Sequence, residues 1–340
     1  MQSIQSRRCF LAALSSTGVT GLIGARNVFA EEAAPETTRL RLIQVPSICM
    51  VAQFIAEELL RREGFTDVQY IKKPGAKGIE TALASGEADI NMHFNARIIT
   101  LLDAGAPIVI LAGGHLGCFE LFGTDRVRAI RDLKGKTVAV LELESGQQAF
   151  IAIMAAHVGL DPRKDINWVA QSPVESMRQL ADGKIDAFLG FPPEPQQLRA
   201  MKAKSIHVVV NSMVDRPWSQ YFCCMVAGNR EFVKKHPVAT KRALRAILSA
   251  SELVEREPER TARFLVDRGF TENYDYALDA LTEMKMAFTA WREYDPEDTI
   301  RFYALRLREA GMIKSSPNQI IAAGTDWRFL NEIKRNLKRI

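Results

Sequence analysis

The sequence predicts an α/β protein built from mainly parallel sheets flanked by helices, with extra helices at the C-terminal end. Three observations carry that expectation. Short β-rich runs alternate with longer amphipathic stretches, the rhythm of βαβ units. One run, Ile108-Val109-Ile110-Leu111-Ala112, is apolar throughout, as a strand covered on both faces must be. The rhythm restarts at Lys136 and gives way to helical patterns from Arg230 onward. A length of 340 residues suits about two domains. With 47% hydrophobic and 25% charged residues the chain is globular, not collagen-like or disordered. A mean hydropathy of -0.08, with no apolar run of about 18 residues, excludes a polytopic membrane protein.

Taken in order, residues 1–30 read as an export signal. Ser6-Arg7-Arg8-Cys9-Phe10-Leu11 opens a moderately apolar stretch over 10–23, and Val28-Phe29-Ala30 supplies the small or branched residues that a signal peptidase reads. The paired arginines ahead of Phe and Leu resemble a twin-arginine signal, although Ala12 stands where its fullest form has Lys. After a polar linker, Leu40-Arg41-Leu42-Ile43-Gln44-Val45 reads as a strand broken by Pro46-Ser47. Residues 51–62 place Phe54, Ile55, Leu59 and Leu60 on one helical face that ends at Gly64. Strands over 68–72, 88–92 and 108–112 then alternate with helices over 79–84 and 98–102.

A strand over 118–122 leads out of this unit. The second unit has strands at 136–141, 166–169, 185–189 and 206–210, with a helix at 147–157. Ser172-Pro173-Val174-Glu175 reads as a capping box with proline at the first helical position. Residues 220–227 form a strand that returns to the first unit, and Pro237, Pro258, Asp295-Pro296 and Ser316-Pro317 mark later helix starts.

The net charge of +5 is not an invitation to nucleic acid. Arg7, Arg8 and Arg26 fall in the signal, and Arg328, Lys334, Arg335, Lys338 and Arg339 crowd the last segment against Glu332 alone. The residues between are slightly acidic. Beyond Cys9, the cysteines are Cys49, Cys118, Cys223 and Cys224. None has the paired spacing of a zinc site, so buried free thiols are the expectation, with no metal and no cofactor.

Three motifs then become recognisable. Gly78-Ile79-Glu80-Thr81-Ala82-Leu83-Ala84-Ser85-Gly86-Glu87-Ala88-Asp89, Asp132-Leu133-Lys134-Gly135-Lys136-Thr137-Val138-Ala139-Val140 and Leu180-Ala181-Asp182-Gly183-Lys184-Ile185-Asp186-Ala187 stand in order. Their sequence and spacing resemble periplasmic solute-binding proteins of ABC importers, in the nitrate/sulfonate/taurine family that also holds the thiamine-pyrimidine-precursor binders. The resemblance covers nearly the whole chain after the signal. It implies a two-lobed periplasmic binding protein fold (type II-like), each lobe a mainly parallel sheet flanked by helices. Residues 40–121 plus 226–340 would form lobe one with the C-terminal helices, and 122–225 lobe two. It further implies a non-enzymatic, monomeric, periplasmic carrier that captures a small organic solute, a sulfonate, carboxylate or related compound, and docks on a membrane permease. Within the motifs, Gly86 and Gly183 sit where a helix reverses into a strand, and Asp89 and Asp186 read as polar turn residues.

In parallel sheets, ligands lie beyond the carboxyl ends of the strands. That rule points to Ser47, Gly75, His93, Phe94, Asn95 and His115 in the first unit. In the second it points to Glu144, Ser145, Gly146, Phe191 and Glu194, with Trp218 and Tyr221 beside the return crossing. Ser145-Gly146 precedes a helix and reads either as an oxyanion holder or as a simple cap, and Ser47 carries the same two readings. Glu142 and Glu144 argue against a purely anionic ligand if they face inward. His93 and His115 are candidate donors to an acid group, and their separation, even with Glu120, lacks metal-ligand spacing. The aromatic residues are candidate stacking surfaces. Two rival functions remain: a pyrimidine-precursor synthase-like enzyme on the same fold, and a ligand-binding partner of a sensor. Against the enzyme, Tyr221-Phe222-Cys223-Cys224-Met225 offers only two of the several clustered cysteines that such synthases carry.

Overall fold

A computed structural model describes residues 32–45, 47–73 and 75–337; the export signal expected over residues 1–30 lies outside the described residues. The sheets and helices all fall in the unit Ala34–Ile340. The first part of the chain gives β1 (Arg39–Gln44), α1 (Ala52–Ile55), α2 (Glu57–Arg62), β2 (Asp67–Lys72), α3 (Gly75–Ala84), β3 (Ile90–Phe94), α4 (Asn95–Asp103) and β4 (Ile108–Leu116). Then come β5 (Glu120–Thr124), β6 (Lys136–Val140), α5 (Gly146–His157), β7 (Ile166–Ala170), α6 (Pro173–Ala181), β8 (Ala187–Gly190), α7 (Glu194–Ala200) and β9 (Ile206–Asn211). After β10 (Phe222–Asn229) the chain is helical: α8 (Arg230–Lys235), α9 (Pro237–Arg256), α10 (Pro258–Asp267), α11 (Tyr274–Glu283), α12 (Pro296–Glu309), α13 (Pro317–Gly324) and α14 (Arg328–Leu337).

The strands make two five-stranded sheets on one plan, ordered β2-β1-β3-β10-β4 and β7-β6-β8-β5-β9. In each, the fourth strand runs against its two neighbours, so both sheets are mixed although four strands of five point the same way. The antiparallel strand is in each case the one that enters from the other sheet. A shared device aligns the parallel strands. Asp89, just before β3, accepts from the Arg41 backbone N–H on β1 at 2.7 Å, and Asp186, just before β8, accepts from the Thr137 backbone N–H on β6 at 2.8 Å. Both aspartates are therefore strand clamps, each reinforced by an arginine, Arg41 and Arg126. Gly86 and Gly183 precede them with φ of 78° and 67°, the left-handed conformation that glycine enters without strain.

Several boundaries differ from the sequence reading. The helix expected over 51–62 is divided at Ala56, and its first piece is held on the sheet by the fully buried Gln53. The Gln53 amide donates to Ile43 O at 2.9 Å and accepts from Met92 N–H at 2.7 Å. The strand expected over 108–112 runs on to Leu116, so Gly113, Gly114 and His115 lie inside β4. A Cβ on Gly113 would stand 2.5 Å from the Phe222 ring and one on Gly114 would stand 3.0 Å from Cys224 O, so these glycines admit β10. The outgoing strand begins at Glu120, two residues later than expected. Ser172 caps the Glu175 N–H, but the Glu175 carboxylate turns to Arg178 and Gln179, so the box is half made. Pro237, Pro258, Pro296 and Pro317 all open helices as expected. No helix among the described residues is long and apolar enough to cross a membrane.

Two short segments link the sheets, 117–119 after β4 and 212–221 before β10. They are tied to each other. The Ser212 hydroxyl, 2% exposed, accepts from Cys118 N–H at 3.1 Å and Phe119 N–H at 2.9 Å, while Ser212 N–H donates to Phe119 O at 2.9 Å. Ser212→Ala strands two buried donors and should lower stability by about 1–3 kcal/mol. Urea unfolding of parent and variant measures this; equal midpoints would mean that the crossings are held by other contacts.

Candidate functional site

The carboxyl ends of the first sheet's strands face those of the second across a shared cleft. From the first side come Ser47 after β1, Phe94 at the end of β3 and His115 near the end of β4; β10 begins at the same end, with Cys224 registered against both Phe94 and His115. From the second side come the turn after β6 and the turn after β8. A Cβ on Gly146, at the start of α5, would lie 2.9 Å from the Phe94 ring, and the Phe94 and Phe191 rings are 5.6 Å apart. The floor is aromatic. Phe119 joins Phe94 at 4.9 Å and stacks on Phe150 at 5.2 Å, and Phe150 meets Trp218 edge-on at 5.6 Å.

The mouth is polar. It opens into a cavity of 430 Å³ lined by Glu80, Arg97 and Leu101 on one side and Glu142, Glu144 and Ser145 on the other. Arg97 makes a bidentate pair with Glu80, whose carboxylate oxygens lie 2.5 and 2.6 Å from Nε and Nη2. His93 Nε2 stands 3.8 Å from the same carboxylate, beyond hydrogen-bond length. Burial works to raise the Glu80 carboxyl, but His93 and Arg97 outweigh it and bring it down to about 2.

Glu194 is the opposite case. It is 7% exposed, and burial pushes its carboxyl up to about 8 against the pull of the Phe191 N–H, which donates to Oε2 at 2.7 Å; negative charge at Cys49 adds to the rise. Two carboxylates of one cleft thus differ, one ionised at neutral pH and one holding its proton.

Behind the rings, every cysteine of the described chain converges. Cys49 from the turn after β1, His115 and Cys224 offer ligand atoms within 4.8 Å of one another, and His115, Cys118 and Cys223 do the same. Cys118 Sγ is 3.1 Å from Cys223 Sγ, and Ser47 Oγ is 3.0 Å from Cys49 Sγ. Hydrogen bonding from Cys118 and Cys224 draws the Cys49 thiol well below its ordinary range, whereas burial holds the other three up. The thiols are free and buried, as expected, but they are one cluster and not scattered filler.

The structure brings together Ser47, His93, Phe94, His115, Glu144, Ser145, Gly146, Phe191 and Glu194 around this cleft and places the remaining candidates elsewhere. Asn95 turns its amide to Phe222 O and so fastens α4 to β10. Gly75 opens α3 and is not in a loop. Trp218 packs against His157 and Phe302, and Tyr221 stacks on Phe302 at 4.1 Å, so both belong to the packing between the second crossing and α12. Ser145 Oγ caps Gln148 N–H at 3.3 Å. Glu120 is held by Arg199 and does not join the histidines. Sequence reasoning missed Phe119, Phe150 and Arg97 as cleft residues. It also missed Arg199, which bridges Glu120 to Glu283 at the end of α11, where Gln196 also donates at 2.9 Å.

The sequence pattern of the NMT1-like family matches residues 33–266. The periplasmic nitrate-binding protein NrtA from Synechocystis PCC 6803 superposes with a TM-score of 0.74 at 16% identity, over 91% of each chain. The alkanesulfonate-binding protein SsuA from Xanthomonas axonopodis pv. citri, bound to MOPS, superposes with a TM-score of 0.66 at 17% identity, over 82% of this chain and 96% of that one. By sequence, the 4-amino-5-hydroxymethyl-2-methylpyrimidine phosphate synthase THI13 of Saccharomyces cerevisiae is 21% identical over 220 residues, which cover 61% of this chain and 63% of the yeast protein.

The Glu194 environment has a measurable consequence. An unfolded Glu has lost its proton above about pH 4.5 while the folded one keeps it to about pH 8, so this group makes stability fall as pH rises through that window. Glu194→Gln keeps the acceptor for Phe191 and removes the titration. Urea unfolding between about pH 5 and about pH 9 should show the variant gaining on the parent, by roughly 2–4 kcal/mol at the alkaline end. Parallel curves would mean that Glu194 is ionised in the fold.

Proposed function

The chain belongs to the NMT1-like family, and from that premise we propose that it is the solute-capturing component of an ABC importer, closing two lobes over a small organic molecule. The observation that carries this reading is the pair of short crossings tied at Ser212. Two sheets linked along the chain by these two crossings, with a cleft between their strand ends, form a hinge whose closure buries whatever lies inside. Lobe one would comprise 40–121 and 226–340 and lobe two 122–225. The resemblance of the first 30 residues to a twin-arginine signal supports a periplasmic location for a monomeric carrier that delivers to a membrane permease.

The cleft favours a ligand with two chemistries. Rings of Phe94, Phe119 and Phe191 offer an apolar face, while Glu80, Glu142 and Glu144 outnumber Arg97 at the mouth. A bare anion meets net repulsion there, so a sulfonate or carboxylate cargo should also carry hydrogen-bond donors, as an amino-sulfonate or an aminopyrimidine does. The similarity to the yeast synthase supports a second reading, catalysis on the same fold. Recovering the bound ligand after incubation separates the two: a carrier returns it unchanged, an enzyme does not.

Capture follows a population shift toward the closed form. The Arg199–Glu283 pair joins α7, beside the second sheet, to α11 in the C-terminal helices, and so serves as a latch on that form. A thermal-shift screen with sulfonates, aromatic acids, nitrate, bicarbonate and thiamine-precursor pyrimidines should find one class that raises the melting temperature in a concentration-dependent way; no response from any class would defeat the reading. With a ligand in hand, Glu283→Ala should weaken its apparent affinity by roughly 2- to 10-fold with little change in melting temperature. Glu283 is the residue to change, because removing Arg199 would leave the buried Glu120 unpaired. Unchanged affinity would show that the pair does not bias closure.

A further inference from the structure

We propose that the back of the cleft binds one thiophilic metal ion, Zn(II) or Cu(I), through His115 Nε2 and the thiolates that surround it. The imidazole carries the first argument. His115 Nδ1 lies 2.8 Å from Leu116 O, and a carbonyl only accepts, so the proton sits on Nδ1 and Nε2 keeps its lone pair. That lone pair is fully buried and finds no hydrogen-bond partner among the described residues. An imidazole fixed by Nδ1–H to a backbone carbonyl, with Nε2 free, is oriented as a metal-binding histidine is.

The second observation is the set of thiols gathered around the His115 ring. Two triads, with Cys49 and Cys224 and with Cys118 and Cys223, each bring their ligand atoms within 4.8 Å, and both use His115. The thiols come from the turn after β1, the first crossing and β10, so the fold has gathered every described cysteine at one point. Sulfur and imidazole donors without a carboxylate exclude a hard cation such as Mg(II) or Ca(II) and select a soft d10 ion. Binding displaces the thiol protons of the coordinating cysteines to solvent, so the ion is taken up more tightly as pH rises. Glu80, Glu142 and Glu144 at the mouth give an approaching cation an attractive field.

This inference concerns the same cleft as the import reading but does not need it. Metal binding would stand if no organic solute were found, and solute binding by metal-free protein would stand if no metal were taken up.

The test uses the full chain, reduced and kept from oxygen, titrated with Co(II) as a spectroscopic probe. Expected are thiolate-to-cobalt charge-transfer absorption that saturates at one Co(II) per chain, and displacement of that Co(II) by Zn(II). His115→Gln, Cys49→Ser and Cys224→Ser should each weaken Co(II) affinity by about 10-fold or more. Circular dichroism of the metal-free variants checks folding, and Cys49→Ser, in a turn outside the sheets, serves if a strand variant fails. Competition with a zinc chelator dye and with bathocuproine for Cu(I) assigns the ion. Absence of the charge-transfer band after full reduction, unchanged affinity in the folded variants, or retention of neither Zn(II) nor Cu(I) would overturn the proposal.

Discussion

The rest of the structure depends on one strand arriving late. β10 lies between β3 and β4, antiparallel to both, and all eight of its residues are buried. Until it is in place the first sheet has two open edges where its centre should be, and every backbone group along them lacks a partner. Gly113 and Gly114 have no side chains because β10 must come this close. The same strand ends the second crossing and carries Cys223 and Cys224 to Cys49 and His115. Sheet closure, second crossing and cleft floor are therefore one event, and a substitution that disturbs the fit of Phe222 against Gly113 disturbs all three.

The cleft that results divides its polar work by depth. Near the mouth, Glu80 is buried but faces a guanidinium and an imidazole, and it stays ionised. Deeper, Glu194 has only backbone N–H groups to set against burial and keeps its proton. Between them lie aromatic rings from both sheets and from the first crossing.

How much of this was legible in the sequence follows from how local each feature is. Proline at the start of α9, α10, α12 and α13, glycine before β3 and β8, and the unbroken apolar run of β4 act within a few residues and could be read directly. The family motifs gave the two-unit plan. What escaped were features made by distant partners. The Gly113-Gly114 pair looks like a turn until a strand more than a hundred residues later is laid against it. The cysteines fail every spacing rule because their meeting point is set by three segments, none of which shows the others. Glu120 follows His115 closely in sequence, yet its partner is Arg199. Tyr221 and Trp218 flank the crossing as expected, but α12, which has no counterpart in a simple two-sheet plan, claims both rings.

One more property follows from the bridge between Arg199 and Glu283. Both side chains remain more than a third exposed, at 39% and 38%. Charges so placed are shielded within about 8–10 Å at ordinary salt and progressively more in brine. The aromatic contacts on the far side of the cleft have no such sensitivity. The cohesion of the two halves is thus the sum of one contribution that dissolved ions weaken and another that they leave alone or strengthen. Moved from dilute water to saline, the same protein would hold α7 to α11 more loosely, and the composition of the surrounding medium would act as an adjustable spring on that contact.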